Sequence, residues 1–267
     1  MAWSNGSRLA LASLTLLWAC ARLSPLPAQP AAPDPAAAST SLPEDHAGLR
    51  DLANRLCVGL ASLEQRALGL RAAERLQEVA FDPADALTLA QCTFLNADRA
   101  GEPGRVVALT ELGIRAARAA DPTGRDPRAA YLLAVNLGLN VRAVGLAALG
   151  RVGEVIAALE LAAALPAQDL GGPWRVLGML YLKAPPWPAG PGDLEAALGL
   201  LKQAATQYPS HPQNHLFLAE ALLEDGDRTA ARRELAAATG LASRLTWGDD
   251  ADRWRAEAAV LAAKLED

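Results

Sequence analysis

The chain has 267 residues, enough for one large domain or two small ones, and a formal net charge of −5. It has no basic stripe and no interleaving of basic with aromatic residues, which argues against a nucleic-acid partner or attraction to an anionic membrane surface. Half of it is hydrophobic (51%) but only 4% is aromatic, and alanine and leucine outnumber β-branched residues, so helix is favoured over sheet.

Residues 1–19 read as a signal peptide. The terminal amine and Arg8 precede an apolar run over residues 9–18, too short to span a bilayer and suited to secretion. The run ends in Leu17-Trp18-Ala19-Cys20, which resembles a bacterial lipobox, with Trp18 replacing the usual small or aliphatic middle residue. The resemblance implies lipidation of Cys20 and a membrane anchor through its acyl chains. Ordinary secretory cleavage at Ala19-Cys20-Ala21 is the alternative. Ala21, where an aspartate would hold a lipoprotein in the inner membrane, favours the outer membrane of a periplasm. Residues 20–44 are rich in proline, alanine and serine without periodicity, the composition of a disordered or extended tether. Cys57 and Cys92 follow in apolar stretches. They could pair in an oxidising compartment, but the preferred reading is two buried small hydrophobes.

Residues 45–267 show helical spacing throughout, punctuated by Asp-Pro, Gly and Pro clusters. Helix pairs are expected over 45–80, over 87–97 with 105–120, and over 128–149 with 154–165. Residues 171–209 make the next pair. Trp174, Leu177, Gly178 and Tyr181 fall on one helical face, and the small Gly178 allows close approach of a partner helix. This W-x₂-L-G-x₂-Y pattern matches the first-helix signature of a tetratricopeptide repeat. Ala197, Leu201, Ala204 and Pro209 match the small, bulky, small and terminating positions of its second helix. The interval between the two helices exceeds the standard repeat by about seven residues. The surplus lies in LKAPPWPAGPG, so the Pro186-Trp187-Pro188 loop is an insertion in the inter-helix turn.

Residues 212–243 repeat the pattern. Leu218, Ala219 and Leu222 serve the first helix, Gly226 the turn, and Ala231, Leu235 and Ala238 the second; His215 stands where tryptophan is usual. A capping helix over about 249–266, with Asp249 or Asp250 as N-cap, closes the series. The fold class expected is all-α: a tetratricopeptide-like right-handed superhelix of antiparallel helix pairs with a C-terminal capping helix.

Gly171, Gly172, Arg175, Leu177, Gly178, Tyr181, Gly192 and Asp193 lie in a helix, a proline-rich turn and a Gly-Asp helix start. In that order they resemble the TatT-like lipoproteins, the T-component family linked to TRAP-type transporters. The resemblance is specific over about 171–200. It implies an all-helical periplasmic lipoprotein that binds a partner protein such as a transporter solute-binding protein.

Chemistry is sparse. His46, His211 and His215 are the only histidines, and Pro212 interrupts the i,i+4 pair, so no metal site is expected. No nucleotide-binding loop or nucleophile elbow occurs, so neither an enzyme nor a cofactor is expected. The expected role is protein or peptide binding. Trp187 is either a rigid docking anchor between two prolines or a cover over the next repeat's apolar edge. Arg115, Arg118, Arg142 and Arg175 are the charges expected on the concave face, by analogy with peptide-holding grooves. The alternative role is a carrier of a small hydrophobic ligand in an inter-helix pocket or pore.

Overall fold

The computed structural model describes residues 41–59, 61–79 and 82–266. The signal peptide, Cys20 and the tether up to residue 40 lie outside the described residues. Twelve α-helices are present among them: α1 (His46–Leu56), α2 (Leu63–Val79), α3 (Pro83–Ala97), α4 (Pro103–Ala120), α5 (Pro127–Val144), α6 (Val152–Ala162), α7 (Gly172–Lys183), α8 (Leu194–Gln207), α9 (Pro212–Glu224), α10 (Arg228–Leu241), α11 (Arg244–Trp247) and α12 (Asp250–Glu266). No strand occurs among the described residues; Pro186 and Gly192 form one isolated bridge. The architecture is all-α, and consecutive helices pack as neighbours.

The helix starts follow from local chemistry. Asp45, Asp82, Asp126, Asp193 and Asp227 each accept a backbone N–H from the first turn that follows. These bonds satisfy donors that have no partner within the helix. Pro83 and Pro127 occupy first-turn positions behind two of these caps, where a missing N–H is harmless. Gly226, at φ 88°, makes the turn from α9 to α10, a conformation that disfavours any Cβ. One expected boundary moves. The helix starting near residue 128 ends at Val144 rather than 149, because Gly145 adopts φ 76° and the chain continues as a 3₁₀ helix over Gly145–Arg151.

Packing repeats the sequence pattern. Ala197, Leu201 and Ala204 are fully buried, as are Ala219 and Ala231, while Leu177, Leu218, Leu222, Leu235 and Ala238 are nearly so. Tyr181 is half-buried and Pro209 exposed. A Cβ on Gly178 would meet Leu201 Cγ at 2.8 Å and the Ala197 carbonyl oxygen at 3.3 Å, so α7 and α8 touch there as the signature requires. Gly178→Ala is expected to lose about 1–2 kcal/mol: overpacking costs about 1–3 kcal/mol and the better helix propensity of alanine returns part of it. A thermal melt followed by circular dichroism checks this. A melting temperature at or above wild type would mean that Leu201 yields the space.

Contacts between alternate helices add a second level of order. α3 touches α5, and α7 touches α9. Tyr131 at the start of α5 donates to Asp169, just ahead of α7, at 2.8 Å. Thus α3 packs on α5, α7 packs on α9, and Tyr131 ties α5 to the turn ahead of α7. The core is divided into an N-terminal cluster around Leu49, Leu76 and Leu89, a central one around Leu137 and Leu159, a C-terminal one around Leu201, Leu218 and Leu261, and a small one of Val141, Ala148 and Val152.

The cysteine expectation is corrected. Cys57, at the end of α1, and Cys92, in α3, form a disulfide across a sequence separation of 35. The crossing of α1 with α3 brings the two sulfurs together, a proximity that spacing along the chain does not reveal.

Candidate functional site

The inserted loop between α7 and α8 is held by its own backbone. Gly192 N–H donates to Pro185 O at 2.8 Å, Ala189 N–H to Pro186 O at 3.0 Å, and Asp193 N–H to Tyr181 O at 3.1 Å. A Cβ on Gly192 would fall onto the Ala184 carbonyl, so the closing strand of the loop passes too near the helix end for any larger residue. Trp187 sits at the tip and is 86% exposed. The covering role is therefore excluded in this conformation: the ring lies on no apolar edge. A rigid loop that presents an aromatic side chain to water loses little entropy when that side chain is buried by a partner.

An open cleft of about 620 Å³ follows the loop, lined by Leu194, Leu198 and Gly199 together with Glu195, Lys202 and Asp225. The cleft is open to solvent and carries both charge signs beside its two leucines.

The four arginines do not converge. Arg115 is exposed. Arg118 is exposed and pairs with Glu154 at 2.5 Å. Arg142 is half-buried, near enough to Asp98 to help hold that carboxyl ionised. Arg175 is only 2% exposed, which corrects its expected place on an open concave face. It donates to Asn214 Oδ1 at 2.7 Å and to Asp169 O at 3.2 Å, and it pairs with the Asp169 carboxylate. The reason is a turn that the residue types did not announce. Asp169 and Leu170 both adopt φ 48°, unusual for residues with a Cβ, and this turns the Asp169 carboxylate towards Tyr131 and Arg175.

His211 caps this polar group. Its imidazole lies 4.7 Å from the ring of Trp247 and 5.3 Å from that of Trp254. Burial, the Arg175 charge and His215 push its pKa down to about 2, so it is neutral at ordinary pH. His215 is elsewhere, bonded to Glu234 and to Pro209 O. Among the described residues no group of three or more His, Cys, Asp or Glu side chains could hold a metal ion.

A second charged cluster escaped the sequence reading entirely. Asp250, the first residue of α12, pairs with Arg66 of α2 at 2.8 Å and lies 3.3 Å from Arg99. Asp250 thus serves as a buried counter-ion rather than as a helix cap. Arg253 pairs with Asp98 at 2.5 Å. Burial opposes the charge on Asp98, yet Arg253, Arg142 and Arg99 outweigh it and hold its carboxyl below the usual range. No sequence signal marks these partners, which lie 184 and 155 positions apart.

Residues 189–243 match a family model described as tetratricopeptide repeat. No curated protein matches the chain. A solved structure, "Crystal Structure of the Yeast Tom70", is similar at 11% identity and a TM-score of 0.30, over 98% of this chain and 75% of that one. The family match runs from the loop through α8, α9 and α10, the segment in which Ala197, Leu201, Ala219, Gly226 and Ala231 stand where a tetratricopeptide repeat needs them.

Proposed function

We propose that this chain is a non-enzymatic scaffold that docks a partner protein through the loop between α7 and α8, with Trp187 as the anchor. The observation that carries the reading is the exposure of Trp187, 86%, on a loop pinned by hydrogen bonds at its base. The tetratricopeptide-repeat match beside it supports protein or peptide binding. The scaffold belongs outside the cytoplasm, in a bacterial periplasm, held to the outer membrane through lipid on Cys20. The Cys57–Cys92 disulfide supports an oxidising compartment. The resemblance to TatT-like lipoproteins points to a solute-binding protein of a TRAP-type transporter as the partner.

Trp187→Ala tests the reading. Truncating a central aromatic anchor costs about 2 kcal/mol or more, about a 30-fold weaker Kd. The melting temperature should not move, since the ring touches little of its own protein. In-cell crosslinking of the tagged protein, with and without the substitution, measures the first part and a thermal melt the second. An unchanged set of crosslinked proteins, or a melting point lower by several degrees, would overturn the anchor.

A further inference from the structure

The charges around the inserted loop divide into those engaged within the fold and those left to solvent. Asp193, which closes the loop, accepts the Ala196 N–H, and Asp227 accepts the Ala230 N–H, so both carboxylates cap helices. Lys183, at the end of α7, pairs with Glu220 of α9. Glu195 and Asp225 have no such duty. Both are exposed, and neither side chain has a hydrogen bond or an ion pair among the described residues.

The two come from different elements yet line one cleft. Glu195 stands in the first turn of α8, just past the end of the loop. Asp225 follows α9 in a turn held by its own backbone: Asp225 N–H donates to Ala221 O at 3.0 Å, Gly226 N–H to Leu223 O at 3.1 Å and Asp227 N–H to Leu222 O at 2.9 Å. α8 and α9 pack on each other, which brings Asp225 beside the face of α8 that carries Leu194, Glu195 and Leu198. Leu194 and Leu198 lie one helical turn apart and supply the apolar part of the cleft. Lys202, also exposed and without a side-chain partner among the described residues, stands one turn further on. The lining therefore sets two free carboxylates against one ammonium.

Such a lining selects by charge. An exposed ion pair adds little affinity by itself, but unpaired carboxylates repel a like-charged surface and steer a basic one into contact. Phosphate backbones, anionic lipid and acidic peptides are disfavoured by the same repulsion. Trp187 adds to this preference. An indole face in water attracts a cation, and the flat guanidinium of arginine stacks on it best. The two leucines offer apolar surface that one aliphatic side chain of a partner can cover.

We propose that the partner docks a basic segment here: an arginine over Trp187, an aliphatic side chain against Leu194 and Leu198, and a second base reaching Glu195 and Asp225. The proposal rests on the docking reading of Trp187 for the place and adds the chemistry of what binds.

The probe is a displayed library of random peptides of about twelve residues, selected on the mature protein. Peptides that combine arginine or lysine with leucine or isoleucine are expected to be enriched. Glu195→Lys with Asp225→Lys should weaken their binding at least about tenfold, mostly through slower association, and Lys202→Glu should tighten it about threefold. Raising the salt from about 0.05 M to about 0.5 M should weaken it about tenfold. All three positions are exposed, so the melting temperatures should match wild type. Enrichment of acidic or uncharged peptides, or of none, would overturn the proposal, as would equal binding by wild type and the charge-reversed variant. The loop reading fails separately. Basic peptides that are lost on charge reversal but bind Trp187→Ala as tightly as wild type would overturn the anchor and leave the basic partner standing. Selected peptides without basic residues that are lost in Trp187→Ala would do the reverse.

Discussion

Arg175→Ala is expected to lower the stability of the folded chain by about 3 kcal/mol, the low end for breaking a buried charged pair. The side chain is 3% exposed and holds three elements together. It bonds Asn214 at the start of α9, the backbone of the Asp169 turn, and the Asp169 carboxylate, which Tyr131 of α5 also holds. Truncation leaves Asn214 Oδ1 and the Asp169 carbonyl without their donor and opens a cavity between α7 and α9. Asp169 is 44% exposed, so its carboxylate can turn to water, and that keeps the loss from being larger. Arg175→Lys should recover little, because a point charge cannot serve three acceptors in a fork. Urea unfolding followed by circular dichroism measures both variants. A loss below about 1 kcal/mol, paired with weaker partner binding, would return Arg175 to the docking surface.

Removing the disulfide should have an effect of similar size. A cross-link closing a loop of 35 residues restricts the unfolded chain by about 3–4 kcal/mol. The bridge joins α1 to α3, where Arg50 also pairs with Asp82 and Asp85 and His46 with Asp85, and Leu49 and Ala53 of α1 are buried in the N-terminal cluster. A Cys57→Ala, Cys92→Ala double variant should unfold at a lower urea midpoint, and reductant should lower the wild-type midpoint to nearly the same value. Insensitivity of the wild type to reductant would show that the thiols do not pair. It would also withdraw the main physical support for an oxidising compartment.

Several elements are legible from local chemistry alone. Asp-Pro at 82–83 and 126–127 announces a capped helix start because both residues act on the first turn that follows them. The small and bulky alternation of Ala197, Leu201 and Ala204 announces a buried face because helical period places those side chains on one side. Gly178 announces a close crossing because only a missing Cβ admits Leu201. The surplus around Trp187 announces an insertion because the repeat on either side has a fixed length.

Arg175, Cys57 with Cys92, and Asp250 were not legible in this way. A solvated arginine and a buried one are the same letter, and a left-handed turn at Asp169 and Leu170, with no glycine at either position, decided between them. Two cysteines in apolar stretches pair or pack according to how α1 crosses α3. Asp250 meets Arg66 because small rotations between successive helix pairs accumulate until the last helix reaches the first ones. The sequence by itself determined the helices, their buried faces, their caps and the inserted loop, since each depends on residues within a few turns of one another. Only the tertiary structure decided which charges are buried, whether the cysteines join, and that α12 closes the array. Those depend on how helices far apart in sequence pack among the described residues, which no local spacing encodes.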